Sequence, residues 1–75
     1  MAIWTVQLFA YLRERHGSTV TVEAEPNVKS ILSALENSGI AVASARLAVD
    51  NEFASADQPV QVGASIALIP PVSGG

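Results

Sequence analysis

The sequence has no cysteine, and this absence excludes disulfides, thiolate metal sites and thiol nucleophiles together. Basic residues are also scarce, because four Lys and Arg stand against seven Asp and Glu, for a net charge of −3. Proteins that bind nucleic acid use clustered Lys and Arg to contact phosphates. We therefore expect neither thiol chemistry in the chain itself nor a nucleic-acid partner.

Long hydrophobic runs are missing as well. The apolar start, residues 1–12, lacks a basic region, is interrupted by Thr5 and Gln7, and has no small-residue cleavage site after it, so it does not resemble a signal peptide. No stretch approaches the roughly 20 apolar residues needed to cross a bilayer. We expect a cytoplasmic protein without a membrane partner, and at 75 residues a single domain with a small core.

The first third of the chain predicts two strands. Residues 3–9 and 18–24 alternate apolar and polar side chains, as a half-buried strand does. Residues 10–16 between them predict a short helical turn that ends at Gly17. The side chains expected to face the core are Trp4, Val6, Leu8, Val20 and Val22.

One amphipathic helix is predicted after Pro26. Asn27 is a suitable N-cap, and Gly39 marks the end. The apolar positions follow the spacing i, i+3, i+4 and i+7, namely Val28, Ile31, Leu32 and Leu35. A helix with one apolar stripe covers one face of a sheet.

The second half predicts three more strands, at residues 46–49, 52–54 and 64–69, with a tight turn at Asp50-Asn51. The first and last strands are the most apolar, so we expect them to be neighbours in the middle of the sheet. The order of elements predicts an α+β fold of the ubiquitin-like β-grasp type, a mixed sheet of about five strands covered by one main helix. This domain is predicted to span residues 1–69.

The remaining segment, residues 70–75, reads Pro-Pro-Val-Ser-Gly-Gly. Two prolines favour an extended backbone and cannot donate hydrogen bonds to a sheet. At about 3.3–3.6 Å per residue, residues 71–75 can reach about 13–14 Å, enough to enter a pocket on another protein. The glycines lack Cβ, so a narrow tunnel can enclose them. We predict that this segment is an extended tail and that the Gly75 carboxylate is its reacting group.

A carboxylate is a poor electrophile and must be activated before it reacts. Adenylation by ATP would supply a leaving group, and a sulfur nucleophile could then displace AMP. The resulting thiocarboxylate is a competent sulfur nucleophile. A protein without cysteine can carry sulfur in this way.

The ending at residues 69–75 resembles the small subunit of molybdopterin synthase, whose members typically end in Pro-Pro-Val-(Ser/Thr)-Gly-Gly. Weaker similarities occur at Phe9-Ala10, Arg13-Glu14, Gly17, Val49-Asp50-Asn51 and residues 57–60. The chain departs from the family at residues 62–65, Val-Gly-Ala-Ser, where an acidic Asp-Gly-Asp-Glu type of turn is common. Charge pairing with a partner at that turn is therefore not expected.

The resemblance implies a sulfur carrier that is not an enzyme on its own and binds no cofactor. An adenylyltransferase related to ubiquitin-activating enzymes would charge Gly75 with ATP, and a sulfur-donating enzyme would complete the thiocarboxylate. The large synthase subunit would supply the catalytic side chains in a two-plus-two heterotetramer, and the sulfur acceptor would be a cyclic pyranopterin phosphate. The residues expected to insert into that subunit are Pro70, Pro71, Val72, Ser73 and Gly74.

A docking surface is predicted beside the tail. Phe9 and Ile69 fall on the sheet face opposite the helix. Phe53 lies near the predicted turn, and we expect it to join them in an exposed apolar patch. Asp50 and Glu52 are interpreted as solvated turn residues. His16 has no neighbours in sequence that would make a metal site, so no metal is expected.

Three alternatives remain at this stage. A sulfur carrier of the thiamine pathway also ends in Gly-Gly, although the Pro-Pro-Val-Ser lead-in favours molybdopterin synthesis. A ubiquitin-like modifier would form an isopeptide bond to lysines through Gly75. A plain β-grasp interaction module would have a tail with no chemical role.

Overall fold

Five strands and two helices make up the protein in a computed structural model that describes residues 1–43 and 45–70. They occur in the order β1 (Ala2–Leu8), α1 (Ala10–His16), β2 (Thr19–Ala24), α2 (Val28–Asn37), β3 (Arg46–Val49), β4 (Glu52–Phe53) and β5 (Ile66–Ile69). The predicted α+β class and the predicted element order are confirmed.

The strands form one mixed sheet in the order β2-β1-β5-β3-β4. The first and last strands, β1 and β5, are parallel neighbours, while the other pairs are antiparallel. The prediction that these two strands meet inside the sheet is confirmed. β5 lies at the centre, so the chain arrives at residue 70 from the middle of the sheet.

One face of the sheet carries the hydrophobic core. The buried side chains are Trp4, Val6, Leu8, Leu12, Val22, Ala24, Val28, Ile31, Leu35, Ile40, Leu47, Val60, Ile66 and Leu68. The short helix α1 contributes Leu12, and two positions outside regular elements contribute Ile40 and Val60. The indole N–H of Trp4 donates to the carbonyl of Ala24 at 3.0 Å, so its one polar atom is satisfied in the core. Val20 and Leu32, both expected inside, are only partly buried.

Several strand boundaries differ from the prediction by one or two residues, and two of these differences have identifiable reasons. β1 ends at Leu8 because Phe9 becomes the N-cap of α1, where its carbonyl accepts from the backbone N–H of Leu12 at 3.2 Å. β5 begins at Ile66 because Ala64 closes a turn by donating to the carbonyl of Gln61 at 3.1 Å. Helix α1 has its predicted bounds, and its C-cap is Gly17, whose φ of 93° favours a residue without Cβ.

The start of α2 is held by a loop from the second half of the chain. The backbone N–H groups of Val28 and Lys29 donate to the carbonyls of Gln58 and Ala56, at 3.0 and 2.9 Å. The next donor, the N–H of Ser30, is accepted by Oδ1 of Asn27 at 2.8 Å, which confirms the predicted N-cap. Each of these three first-turn N–H groups therefore has a partner.

Replacing Asn27 by alanine is expected to lower the free energy of unfolding by about 1 kcal/mol, because the Ser30 N–H loses its acceptor. Urea denaturation would measure the change. The control is Asn37→Ala at the exposed end of the same helix, where alanine only improves helix propensity. Equal unfolding midpoints for the two variants would contradict the capping role.

No helix within residues 1–43 and 45–70 is long and apolar enough to cross a membrane.

Candidate functional site

The predicted tail is represented in the described residues by Pro70 alone. Pro70 is buried directly after β5, although it was assigned to the tail rather than to the domain. Pro71, Val72, Ser73, Gly74 and Gly75 lie outside the described residues. Tail insertion and the reaction at Gly75 therefore stay predictions, and the described part of the site is the surface from which residue 70 departs.

A groove of about 190 Å³ lies beside that point, on the sheet face opposite α2. Its lining residues are Gln7, Phe9, Ala48, Asn51, Phe53, Ser65, Ala67 and Ile69. We call it the Phe9–Phe53 groove. None of these eight side chains carries a formal charge, and the chain leaves the groove at Ile69, one residue before Pro70.

The floor of the groove follows from strand register. Gln7 of β1 pairs with Ala67 of β5, Ala67 pairs with Ala48 of β3, and Ala48 pairs with Phe53 of β4. These residues therefore form one row across the sheet on the same face. The two central positions are alanines, so the row dips in the middle. Larger side chains at these two positions would fill the groove.

The walls are formed by the three residues that the sequence suggested. Phe9 is 41% exposed, Phe53 is 52% exposed, and Ile69 is partly buried between them. The structure brings all three into the Phe9–Phe53 groove. Aromatic side chains around an apolar depression are typical of protein-docking sites. Partner binding by these residues stays a prediction.

Arg46 is a site residue that the sequence analysis missed. Its Cζ lies 4.0 Å from the centroid of the Phe53 ring, a cation–π contact. Arg46 also pairs with Ile69 across β3 and β5, so it stands beside the last residue of the groove. The signal was present in the hairpin, because a two-residue turn at Asp50-Asn51 puts positions 46 and 53 in diagonal contact.

At the end of the groove opposite Ile69, Asp50 makes two hydrogen bonds to Ser65. Its carboxylate Oδ1 accepts from the backbone N–H of Ser65 at 2.9 Å, and its own N–H donates to the Ser65 carbonyl at 2.8 Å. Asp50 and Asn51 have φ values of 52° and 71°, as in a type I′ hairpin turn. Asp50 is exposed in this turn, as expected of a solvated residue, and its carboxylate also joins the turn to the start of β5.

No group of three or more His, Asp or Glu side chains in residues 1–43 and 45–70 is arranged to hold a metal ion. His16 lies at the exposed end of α1.

Comparison with known proteins identifies the protein family to which this chain belongs. The model of the ThiS family matches residues 6–75, nearly the whole chain and both terminal glycines. The chain belongs to the ThiS family. It is thus a small ubiquitin-like sulfur carrier of the ThiS type, a family of non-catalytic proteins that work with partner enzymes such as adenylyltransferases.

Two crystal structures of small archaeal modifier protein 1 from Haloferax volcanii are similar to this ThiS-family chain over its whole length. Both are 29% identical to it, with TM-scores of 0.74 and 0.70. The matches cover 99% and 96% of this chain and 100% of each archaeal chain. No curated protein matches in sequence. The likeness confirms the ubiquitin-like β-grasp fold.

Proposed function

We propose that this ThiS-family protein is the small, sulfur-donating subunit of a molybdopterin synthase. The observation that carries the proposal is the family match through residue 75, which includes the Gly74-Gly75 ending. The Pro-Pro-Val-Ser lead-in resembles the molybdopterin synthase subunit and favours that pathway. The Phe9–Phe53 groove supports the proposal, because it offers a docking surface one residue from Pro70. We expect the protein to act in the cytoplasm.

The proposed charging reaction exchanges one oxygen of Gly75 for sulfur. A carboxylate oxygen attacks the α-phosphorus of ATP, and pyrophosphate leaves. A sulfur nucleophile at the oxidation level of hydrosulfide is delivered by a sulfur-donating enzyme. It then attacks the carbonyl carbon of the Gly75 adenylate. The new C–S bond forms as the C–O bond to AMP breaks, so the former carboxylate oxygen leaves with AMP. The product is a thiocarboxylate at Gly75.

The proposed transfer step returns the carrier to its starting state. The thiocarboxylate sulfur attacks an electrophilic carbon of the cyclic pyranopterin phosphate, and the new C–S bond forms as a C–O bond at that carbon breaks and its oxygen leaves. Water then attacks the Gly75 carbonyl carbon, breaks its bond to sulfur and restores the carboxylate. The large subunit would supply the catalytic side chains, and this chain supplies the sulfur on a tethered end. ATP is consumed by the adenylyltransferase and is not a bound cofactor of the carrier.

Protein modification is the second candidate. It is favoured by the similarity to small archaeal modifier protein 1, a protein named as a modifier. Activation of Gly75 would be the same. The lysine amine of a target protein would then attack the carbonyl carbon in place of sulfur, AMP would leave, and an isopeptide bond would result.

Intact-mass measurement after incubation with the adenylyltransferase, ATP and a sulfur donor tests the proposal. We expect the protein to gain the mass difference between one sulfur and one oxygen atom. On addition of the large synthase subunit and cyclic pyranopterin phosphate, that mass should be lost while molybdopterin forms. Conjugates with other proteins instead of the sulfur-bearing product would favour the modifier. Transfer only to a thiamine precursor would assign the chain to that pathway, and an unchanged mass would contradict both candidates.

A further inference from the structure

Strand β2 forms an edge of the sheet, since within residues 1–43 and 45–70 only β1 pairs with it. The residue pairs between β1 and β2 follow one another without a bulge, and β2 contains neither Lys nor Pro. Proteins usually protect an edge strand with such features or keep it very short, as β4 is with its 2 residues. The 6 residues of β2 therefore offer a regular, unprotected edge to another strand.

The hydrogen bonds between β1 and β2 determine which backbone groups point outward from this edge. The N–H of Leu8 donates to the carbonyl of Ser18 at 2.9 Å, just before β2 begins. Because hydrogen-bonded and non-hydrogen-bonded pairs alternate along an antiparallel ladder, the even-numbered residues of β2 bond to β1. The odd-numbered residues, Thr19, Thr21 and Glu23, direct their N–H and carbonyl groups away from the sheet. Each of them supplies one donor and one acceptor.

A second copy of the chain has the matching pattern of donors and acceptors. If two β2 strands run antiparallel with Thr21 opposite Thr21 of the second copy, Thr19 of each lies opposite Glu23 of the other. All of these are then hydrogen-bonded pairs, in which both residues donate and accept. Val20, which is only partly buried, lies opposite Val22 of the second copy, with Cβ atoms about 4.5–5.5 Å apart. This register gives every outward-facing group of β2 a partner.

The charges at the two ends of β2 favour the antiparallel arrangement. Arg13 and Thr19 line one hollow at the start of the strand, whereas Glu23 and Glu25 stand at its end, about 13 Å away. In the antiparallel register, Glu23 lies opposite Thr19 of the second copy and so approaches Arg13 of that copy. A parallel pairing would place the acidic ends side by side, where they repel each other.

We propose that two copies of the chain associate through their β2 edges, antiparallel and with Thr21 on the two-fold axis. Such a contact is isologous, and its axis is perpendicular to the sheet. β1 separates β2 from β5, so the contact lies away from residue 70, where the chain leaves the sheet. The Phe9–Phe53 groove stays uncovered in both copies, because no residue of β2 lines it. The pair therefore leaves the docking surface of each copy open to partners.

Sedimentation equilibrium of the full chain over a range of concentrations measures the dissociation constant of this dimer. For Thr21→Pro we expect that constant to rise at least about tenfold, because the two central N–H donors are lost and the proline ring occupies the edge. The fold should tolerate the change, since this N–H points away from β1 and proline is accepted on edge strands. The matched control is Thr21→Val, which keeps the backbone donor and a β-branched side chain and should dimerise as the wild type does.

Reversing charges tests the register without a proline. Glu23→Arg or Arg13→Glu alone should raise the dissociation constant about tenfold, since each places like charges together across the contact. The double variant restores opposite charges between the copies, and its constant should return to within about threefold of the wild-type value. Urea unfolding midpoints show whether each variant folds, and if Thr21→Pro does not fold, the charge variants decide.

Three results would overturn the proposal. The first is a wild-type chain that stays monomeric at millimolar concentration. The second is a dissociation constant for Thr21→Pro that equals either the wild-type value or that of Thr21→Val. The third is a double variant that dimerises as weakly as Glu23→Arg alone, which would exclude the antiparallel register.

Discussion

Deleting Gly75 is expected to reduce adenylation of the chain by at least about 100-fold. The deletion withdraws the terminal carboxyl carbon by one residue, about 3.3–3.6 Å. Reactions held in an enzyme site tolerate far less, since a displacement of about 1 Å can cost about 100-fold in rate. Pyrophosphate release and the appearance of the thiocarboxylate mass measure the effect. The folded domain should be unaffected, because the groove and core are built from residues 2–69.

The control for this deletion is Ser73→Ala, which changes the tail but keeps its length and both glycines. It should be charged at close to the wild-type rate. If the chain without Gly75 is charged as fast as the wild type, the position of the terminal carboxylate does not matter, and the account of Gly75 as the reacting residue is wrong.

Phe9→Glu is expected to weaken binding to the partner enzymes by about 100-fold. Phe9 forms one wall of the Phe9–Phe53 groove, and a glutamate there would either be buried without a partner or hold the two surfaces apart. At 41% exposure, Phe9 lies at the edge of the fold, so the variant should still fold. Titration calorimetry with the large synthase subunit or the adenylyltransferase measures the affinity.

Ile3→Glu provides a matched control for Phe9→Glu. Ile3 is on the same strand face, is 66% exposed, and lies about 20 Å from Phe9 along β1. Its replacement introduces the same charge outside the groove and should leave the affinity nearly unchanged. Loss of folding in Phe9→Glu would show that Phe9 is a core residue, whereas equal affinities for both variants would exclude the groove as the docking site.

Most of the fold could be predicted because local signals and tertiary packing agree. The alternation in β1, the Asn27 cap and the single apolar stripe of α2 all describe elements that form as expected. The places where prediction fell short depend on distant parts of the chain. Val60 enters the core because its loop pairs with the segment before α2, where its N–H donates to the Pro26 carbonyl at 2.9 Å. No local pattern encodes that contact.

The candidate site was predictable to a smaller extent. Side-chain alternation placed Phe9 and Ile69 on the open face, but the groove between them exists because Ala48 and Ala67 become neighbours through the β3–β5 register. Arg46 was missed for a different reason: its contact with Phe53 follows from the register of the predicted hairpin, which side-chain alternation alone does not give. An alanine in a sequence does not by itself indicate a groove. Its position in the groove floor becomes clear only when the pairing of the strands is known.

The central claim is that sulfur is carried on the terminal carboxyl group of Gly75. The most direct measurement is tandem mass spectrometry of the charged protein after trypsin digestion, because no Lys or Arg follows Arg46 and a single peptide then holds β5 and the tail. The account predicts one sulfur in place of one oxygen, confined to the fragment ion that contains Gly75. Sulfur on any other residue, or a mature chain that continues beyond Gly75, would contradict it.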